Sequence, residues 1–408
     1  MPRGGLWRNP DFLRLWTGQA ISQMGSAVSA QALPLAAVLS LGASPLQMGL
    51  LNGAGAAAIL LFGLFAGAWV DRFRRRPILI FADLGRAAVF GAIPLAAAFH
   101  RLSMNYLYLA AASGGLLSVF FDSGYQAYVP ALVRRENILE ANAKLALTVS
   151  IADITGTGAA GVLVQWLTAP MAILSDAASF LCSAFSVWRI QTREPPPKID
   201  GPRHMQREIA EGLREAWHNP TLRILTRRTA TAAFFLGFIG CLYFVFAIRE
   251  LHLSPALLGG IIAIGGVSNL FGALISERLV ARFGIARTLL GSALAAGAAA
   301  LLLPLAHGPV PACAATLALA QTLDMAWPIY HINELTLRQT VTPDRLLGRV
   351  NSAMHLLFRG IMPAGALAGG ILAESIGMRP TLLAGALGFL LSSLWLVKLT
   401  RIHPTKPA

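Results

Sequence analysis

The stretch GAWVDRFRRRP, Gly67–Pro77, places an aspartate and four arginines between two long apolar runs. An α-helix crosses a bilayer with about 20 apolar residues. Runs of about this length lie on both sides of the stretch, LLNGAGAAAILLFGLFAG before it and ILIFADLGRAAVFGAIPLAAAF after it. A charged loop between two such runs indicates a chain that crosses a membrane repeatedly, with this loop at the membrane surface.

The composition extends this prediction to the whole chain. Its 408 residues are 55% hydrophobic and only 13% charged, against roughly 25% charged residues in a soluble protein. Apolar runs of spanning length recur from end to end. We therefore predict an all-α membrane protein with twelve transmembrane helices, near residues 12–38, 47–70, 77–99, 104–129, 141–167, 170–190, 228–249, 255–276, 286–306, 310–333, 347–373 and 378–399.

The net charge of +14 is distributed along the chain in a way that argues against nucleic-acid binding. With the N-terminus inside, only Arg101, Arg249 and Arg379 lie in predicted outer loops. Arg86 and Arg359 lie within spans, and the remaining lysines and arginines lie on the inner side. The positive-inside rule therefore predicts cytoplasmic termini and places the opening loop in the cytoplasm. The N-terminal segment is expected to be a retained first helix rather than a cleaved signal peptide.

The longest polar stretch, residues 191–227, divides the chain. It contains the stiff tract EPPPK and then REIAEGLREAW, whose apolar residues at i, i+4 and i+8 predict a short interfacial helix. The predicted units are a six-helix half at 1–190, this linker at 191–227, and a second six-helix half at 228–408.

The two halves resemble each other in sequence. SPLQMG at Ser44–Gly49 returns as SPALLG at Ser254–Gly259. A second shared pattern joins Asn142, Gly156 and Gly161 to Asn351, Gly365 and Gly370. A duplicated six-helix unit is typical of secondary transporters.

Motifs along nearly the whole chain resemble a known family. Gly67-x-x-x-Asp71-Arg72-x-x-Arg75-Arg76 is similar to the helix 2–3 signature of the major facilitator superfamily, although Arg74 stands where that signature usually has glycine. NPDFLRLWTGQAIS, FFDSGYQAYVPALV, ENILEANAKL, SDAASFL, TPDRLLGRVNSAM and GMRPTLL resemble its drug:proton antiporter-3 branch, which is macrolide-efflux-like and enterobactin-exporter-like. The resemblance implies the major facilitator fold of two pseudo-symmetric halves, a cavity lined by helices 1, 4, 7 and 10, and a monomer in the bacterial inner membrane.

The resemblance also implies a cytoplasmic gate formed by Gly67, Asp71, Arg72 and Arg75. The Asp71 carboxylate would lie against the positive N-terminal end of helix 11, and the arginines would bind nearby acids. The alternative is that the arginines only fix topology, which we expect for Arg74 and Arg76.

Acids inside predicted spans are candidates for function because each costs roughly 2.5–3.5 kcal/mol to insert. Asp122 shares a helix face with Tyr125 and Gln126, and either takes part in proton or substrate binding or bonds to a neighbouring helix. Asp83 lies three residues before Arg86, so we expect these two to form a structural ion pair.

A second candidate lies in DMAWPIYHINE. Asp324, Trp327 and His331 form one stripe, with Pro328 able to kink the helix. This arrangement suits an amphiphilic or cationic guest and makes Asp324 a candidate for substrate binding or proton coupling. Arg359 is a possible counter-ion of Asp324 or a holder of an anionic substrate.

Uncharged polar residues complete the candidate substrate site. Gln19 and Gln23 share a face of helix 1, where they either bridge helices or contact substrate. Tyr243 and Asn269 are weaker candidates of the same kind.

The run GTGAAG, Gly156–Gly161, matches a dinucleotide-binding pattern by letter, but it lies inside a long apolar helix instead of following a strand. We therefore interpret its glycines as helix-packing residues. The resemblance predicts a proline in this helix 5 run, and this chain has Thr157 there.

These observations predict a non-enzymatic secondary transporter that exports small amphiphilic molecules, drug-like or macrolide-like, by proton-coupled alternating access. No Walker A motif or metal-ligand spacing is present in the sequence, and no cofactor is expected. The alternatives are a siderophore or lipid exporter, an uncoupled facilitator, and, more distantly, a non-transporting membrane sensor.

Overall fold

The computed structural model describes residue 6 and residues 9–70, 72–192, 194 and 205–402. These residues form fifteen α-helices, with 3₁₀ turns at Arg135–Asn137 and Asp344–Leu346. The helices are α1 (Pro10–Ser40), α2 (Pro45–Val70), α3 (Arg75–Ala98), α4 (Met104–Leu132), α5 (Ile138–Leu167), α6 (Ala169–Trp188), α7 (Met205–His218), α8 (Pro220–Arg249), α9 (Pro255–Phe283), α10 (Ile285–Leu305), α11 (Val310–Leu323), α12 (Ala326–Val341), α13 (Leu347–Ile376), α14 (Met378–Leu391) and α15 (Leu394–Ile402).

Ten helical segments of the described residues are long and apolar enough to cross a membrane, which confirms the predicted all-α membrane fold. Two predicted spans lie outside that set. Helix α1 is long, but it begins with charged residues and carries three glutamines. The predicted span 310–333 is divided between α11 and α12.

Contacts divide the chain into two compact units. The first contains Met1–Ala43 and Ala54–Arg203, and the second contains Ser44–Gly53 and His204–Ala408. Helix α2 therefore contributes residues to both units. The second unit begins before α7, within the stretch that the sequence predicts to be a linker.

Equivalent caps show the internal duplication at atomic level. The side-chain oxygen of Asn9 accepts hydrogen bonds from the first backbone N–H groups of α1, and that of Asn219 does the same for α8. The Asn9 amide nitrogen donates to the Leu132 carbonyl at 2.9 Å, and the Asn219 amide nitrogen donates to the Val341 carbonyl at 3.2 Å. Each half therefore joins the start of its first helix to the end of its fourth.

Each unit has its own apolar core. In the first unit, the buried residues come from α1, α3, α4, α5 and α6 and include Phe12, Leu15, Leu79, Phe121 and Tyr128. In the second unit, they come from α8, α10, α12, α13 and α15 and include Leu225, Leu289, Val350, Leu396 and Leu399.

The beginning of the predicted linker binds to the first unit through Asp11. Its carboxylate accepts hydrogen bonds from the Thr192 N–H at 2.8 Å, the Thr192 hydroxyl at 2.6 Å and the Gln191 N–H at 3.2 Å. Arg14 adds a salt bridge at 2.7 Å. Burial by itself raises the pKa of Asp11, but the hydrogen bonds from Thr192, Gln191 and Arg14 outweigh it and hold the pKa below its ordinary value of 3.8.

The end of the linker region binds to the second unit through α7. Glu211 forms a salt bridge with Arg349 of α13. Gly212 packs so closely on the Arg349 carbonyl that a side chain there would collide with it. The opposite side of α7 exposes Leu213 and Trp217, as the amphipathic pattern predicts.

Candidate functional site

The second unit contains a break between α11 and α12, at Asp324 and Met325. A proline lacks an N–H, and its ring collides with the carbonyl four residues earlier. For Pro328, that carbonyl belongs to Asp324, which instead accepts a hydrogen bond from the Trp327 N–H at 2.8 Å. The predicted kink at Pro328 is therefore present as a full interruption, and Asp324 lies at it.

Helix α9 packs closely against this break. A Cβ at Gly272 would collide with the Met325 carbonyl and would approach the Pro328 ring to 2.9 Å. Only glycine leaves room here for the displaced backbone of the break. The close packing of α9 therefore holds the interruption in place.

Uncharged polar groups lie on the helices around the break. Gln321, one turn before Asp324, donates from its amide nitrogen to the Tyr243 hydroxyl at 3.3 Å. The other face of Gln321 packs on Gly265 of α9. One turn further along α9, Asn269 has a buried side-chain oxygen that accepts no hydrogen bond from the described residues. Such an acceptor is costly to bury and would be satisfied by a donor on a guest molecule.

Aromatic rings extend the site along α12. Trp327 stacks parallel to His331, with 6.5 Å between the ring centroids, and lies 6.4 Å from the ring of Phe358 on α13. Arg359 is exposed on α13. Among the described residues, no ion pair joins Arg359 to Asp324, so the predicted counter-ion contact is not formed in this structure.

The candidate residues of the first unit lie on α1 and α4. Gln19 and Tyr125 each have a buried oxygen without a hydrogen-bond partner among the described residues. The Tyr125 ring stacks on Phe121 at 5.9 Å. Asp122 and Gln126 are exposed.

Gln23 is half-buried, one turn of α1 beyond Gln19. The structure thus describes every predicted substrate-binding residue, five of them in the first unit and five in the second. Their roles in binding substrate or protons stay predictions. Within the described residues, no group of three or more histidine, cysteine, aspartate or glutamate side chains is placed to hold a metal ion.

The sequence matches a known family along most of its length. The profile of the Major Facilitator Superfamily matches residues 15–366. This chain belongs to the major facilitator superfamily. It is a transporter rather than an enzyme, because the proteins of this family and the relatives of this chain are transporters.

Its relatives include drug exporters. The multidrug efflux pump Tap of Mycolicibacterium fortuitum is 27% identical over 395 residues, covering 93% of each chain. Tap of Mycobacterium tuberculosis is 27% identical over 410 residues, covering 97% of this chain and 94% of Tap. The putative bacilysin exporter BacE of Bacillus subtilis is 26% identical over 233 residues, which is 55% of each chain.

Solved structures show the same fold. The nucleoside transporter NupG superposes with a TM-score of 0.77 at 11% identity, covering 96% of this chain and 99% of NupG. A bacterial homologue of the iron transporter ferroportin, in an inward-facing state, gives 0.78 at 17% identity, covering 97% of this chain and 99% of the homologue. These identities are low, so the likeness concerns the major facilitator fold alone.

The family signature after α2 has an unexpected partner. Helix α3 begins at Arg75, and the backbone N–H groups of Arg75 and Arg76 donate to the Glu194 carboxylate at 2.8 and 2.7 Å. A carboxylate at a helix N-terminus is favoured by the helix dipole and satisfies otherwise unpaired N–H groups. Glu194, from the predicted linker, thus caps the N-terminus of α3.

The predicted cytoplasmic gate is described only in part. Gly67 lies in α2, whereas Asp71 lies outside the described residues. Arg72 is exposed in the turn after α2, where its N–H donates to the Trp69 carbonyl at 3.1 Å. The gate of Gly67, Asp71, Arg72 and Arg75 therefore stays a prediction.

The predicted ion pair of α3 is present. Arg86 forms a salt bridge with Asp83 inside the first unit. Its guanidinium carbon lies 4.2 Å from the ring centroid of Phe121 and 4.3 Å from that of Phe180. Two aromatic faces and a carboxylate thus compensate this buried cation.

The second unit contains buried charges that sequence reasoning missed. Arg228 of α8 is 2% exposed and Glu334 of α12 is 4% exposed. The Arg228 guanidinium carbon lies 3.7 Å over the Tyr330 ring, and Glu334 pairs with Arg338 at 3.3 Å. The i, i+4 spacing of Glu334 and Arg338 was the available signal. Arg228 lies at the edge of a predicted span, where the sequence gives no sign that distinguishes it from the loop arginines that fix membrane orientation.

Proposed function

We propose that this transporter exports a small amphiphilic molecule by proton-coupled alternating access, with Asp324 as the coupling carboxylate. The observation that carries the proposal is the position of Asp324 at the α11–α12 break. A helix interrupted inside a span presents free backbone groups and side chains at the depth where secondary transporters bind their cargo. Its relative Tap is a multidrug efflux pump, which supports the export of drug-like molecules.

The site chemistry supports an amphiphilic guest with a cationic or donor group. The Trp327 face attracts apolar and cationic groups. The unsatisfied Asn269 oxygen takes a donor, and a charged Asp324 takes a cation. Protonation of Asp324 would remove that attraction. The protein would therefore take up a proton and release the guest in the same conformational state.

The proposal includes the orientation and location of the chain. It places the protein in the bacterial inner membrane as a monomer with cytoplasmic termini. The support is the concentration of arginine and lysine in the loops predicted to face inwards.

The test measures proton release from the purified protein while tetraphenylphosphonium, a lipophilic aromatic cation, is added. We expect release from the native protein and from Asp122→Asn. Asp324→Asn should bind the cation more weakly, through the Trp327 face alone, and should release no protons when it does bind. Asp344→Asn, an exposed aspartate of the 3₁₀ turn before α13, is the matched control. Release from Asp324→Asn with loss in Asp122→Asn would move the coupling site to α4.

An uncoupled facilitator is the second candidate. It is favoured by α5, which runs without interruption from Ile138 to Leu167 and has Thr157 where the antiporter branch has a proline. Binding without proton exchange in any variant would establish this candidate and exclude antiport. Movement of the cation into sealed proteoliposomes would separate either transporter from a sensor, and a siderophore or lipid exporter would show neither binding nor transport of this cation.

A further inference from the structure

An apolar groove of about 670 Å³ lies in the first unit, between the end of α2 and the sides of α3 and α4. Its wall includes Trp69, Phe73, Ile78, Phe81 and Phe120. Volumes of about 300–1,000 Å³ are typical of sites that hold small molecules. The groove is therefore large enough for a bound molecule or for part of a longer one.

One charged residue, Arg74, belongs to the described wall of this groove. It stands where the superfamily signature usually has glycine. The side chain is exposed and forms no ion pair with the described residues. An unpaired cation in the wall of an apolar groove matches a molecule with an anionic head and an apolar tail.

The same groove recurs in the second unit with a volume of about 500 Å³, between α9, α10 and the α11–α12 region. Leu279 and Phe283 occupy the places that Trp69 and Phe73 have in the first groove, in the register that relates Asn219 to Asn9. This groove also has an exposed arginine in its described wall, Arg287. In this register Arg74 corresponds to Gly284 and Arg287 corresponds to Pro77. Each groove thus combines an apolar wall with one arginine, although the arginine comes from a different position in each.

We propose that each groove binds an anionic phospholipid, with an acyl chain along the apolar wall and the phosphate on Arg74 or Arg287. A guanidinium forms charge-assisted, bidentate hydrogen bonds with phosphate. Trp69 and Phe73 pack on each other in the wall that also contains Arg74, and they suit the membrane interface, where aromatic residues are enriched. A neutral apolar molecule would leave both arginines unpaired, so the charge selects an acidic lipid.

The test counts lipids retained by the purified protein in native mass spectrometry after exposure to phosphatidylglycerol or phosphatidylcholine. We expect the native protein to retain phosphatidylglycerol preferentially. Arg74→Gly and Arg287→Gln should each retain one such lipid fewer, with affinity at the altered groove lowered roughly five-fold for each arginine removed near a lipid surface. Arg345→Gln removes an exposed arginine outside both grooves and should change nothing.

A second variant tests the apolar wall without altering charge. Gly291 lines the second groove, and a Cβ added there meets no atom within 4 Å. Gly291→Leu should therefore fold normally, fill the groove and lose one retained phosphatidylglycerol. Equal retention of both lipids by the native protein, full retention in all groove variants, or an equal loss in Arg345→Gln would overturn the proposal.

Discussion

Helix α4 of the first half and the α11–α12 pair of the second half are related by the duplication, yet only the second is interrupted. Both end at an equivalent hydrogen bond. The Asn9 side-chain amide donates to the Leu132 carbonyl at the end of α4, and the Asn219 side-chain amide donates to the Val341 carbonyl at the end of α12. Helix α4 runs unbroken through its 29 residues. The duplication thus preserved the ends of the helices, and the two copies diverged in the middle, where transport is proposed to occur.

The cause of this difference is local. Pro130 of α4 lies in the last turn, where the helix is about to end. Pro328 lies in the interior of its segment, and α9 provides Gly272 to receive the displaced backbone. A proline in a helix interior costs about 3 kcal/mol or more, so Pro328 causes the break at Asp324, and Gly272 of α9 leaves room for the displaced backbone.

The largest effect is expected from Pro328→Ala, which should make the second half resemble the first. The alanine N–H can donate to the Asp324 carbonyl, so α11 and α12 should join into one helix. We expect export to fall to background. Spin labels at Leu319 and Thr336, both exposed, should show a changed distance across the joined helix.

The matched control for Pro328→Ala is Pro130→Ala in α4. It should leave both transport and helix geometry of the first half unchanged, because Pro130 causes no break. An unchanged distance between the two labels in Pro328→Ala would show that the packing of α9, and not the proline, breaks the helix.

A smaller loss of stability is expected from a set of hydrogen bonds that only the first half has. The Asp11 carboxylate accepts hydrogen bonds from Gln191 and Thr192, whereas the second half has Thr221 at the equivalent position. Asp11→Asn should lower the free energy of unfolding at neutral pH by about 2–3 kcal/mol, because several donors lose a charged acceptor.

The pH dependence of Asp11 has a definite sign. Its folded-state pKa is lowered, so its contribution is fully present above pH 3.8 and is lost as the pH falls through the folded value. The difference in thermal midpoint between native protein and Asp11→Asn should therefore shrink in acid. A difference that is independent of pH would contradict the role of the charge.

The two caps should respond alike. Asn9→Ala and Asn219→Ala each remove a helix cap and one hydrogen bond to a distant carbonyl, at a cost of about 1–2 kcal/mol. Thermal unfolding in detergent should give similar losses for the two variants. A large loss for one and none for the other would show that the halves are no longer equivalent at these ends.

The smallest effect should be stabilising. Thr168, at the turn between α5 and α6, has φ 91° and ψ 155°, a region that a β-branched residue rarely adopts. Its counterpart between α13 and α14 is Gly377, with φ 93° and ψ 162°. Thr168→Gly should therefore raise stability by about 1 kcal/mol by removing backbone strain, and Gly377→Thr should lower it. A lower thermal midpoint for Thr168→Gly would contradict this.

The sequence predicted those parts of the structure that depend on local patterns. Apolar runs located the helices, the repeated SPLQMG and SPALLG marked the duplication, and Pro328 indicated a kink. The contact between buried Arg228 and the Tyr330 ring depends on how α8 packs on α12. The capping of α3 by Glu194 joins residues far apart in the chain. Periodicity contains no information about such contacts.

The attachments on either side of residues 195–204 also define where this gene could be divided. Glu194 is bonded to the start of α3 in the first unit, and α7 is held to α13 by Glu211 and by the contact at Gly212. A cut between these attachments would leave each product with its own anchored end. Two separately translated polypeptides divided there would each keep the attachment of its own end, whereas a cut after α7 would separate that helix from α13, to which it is bonded.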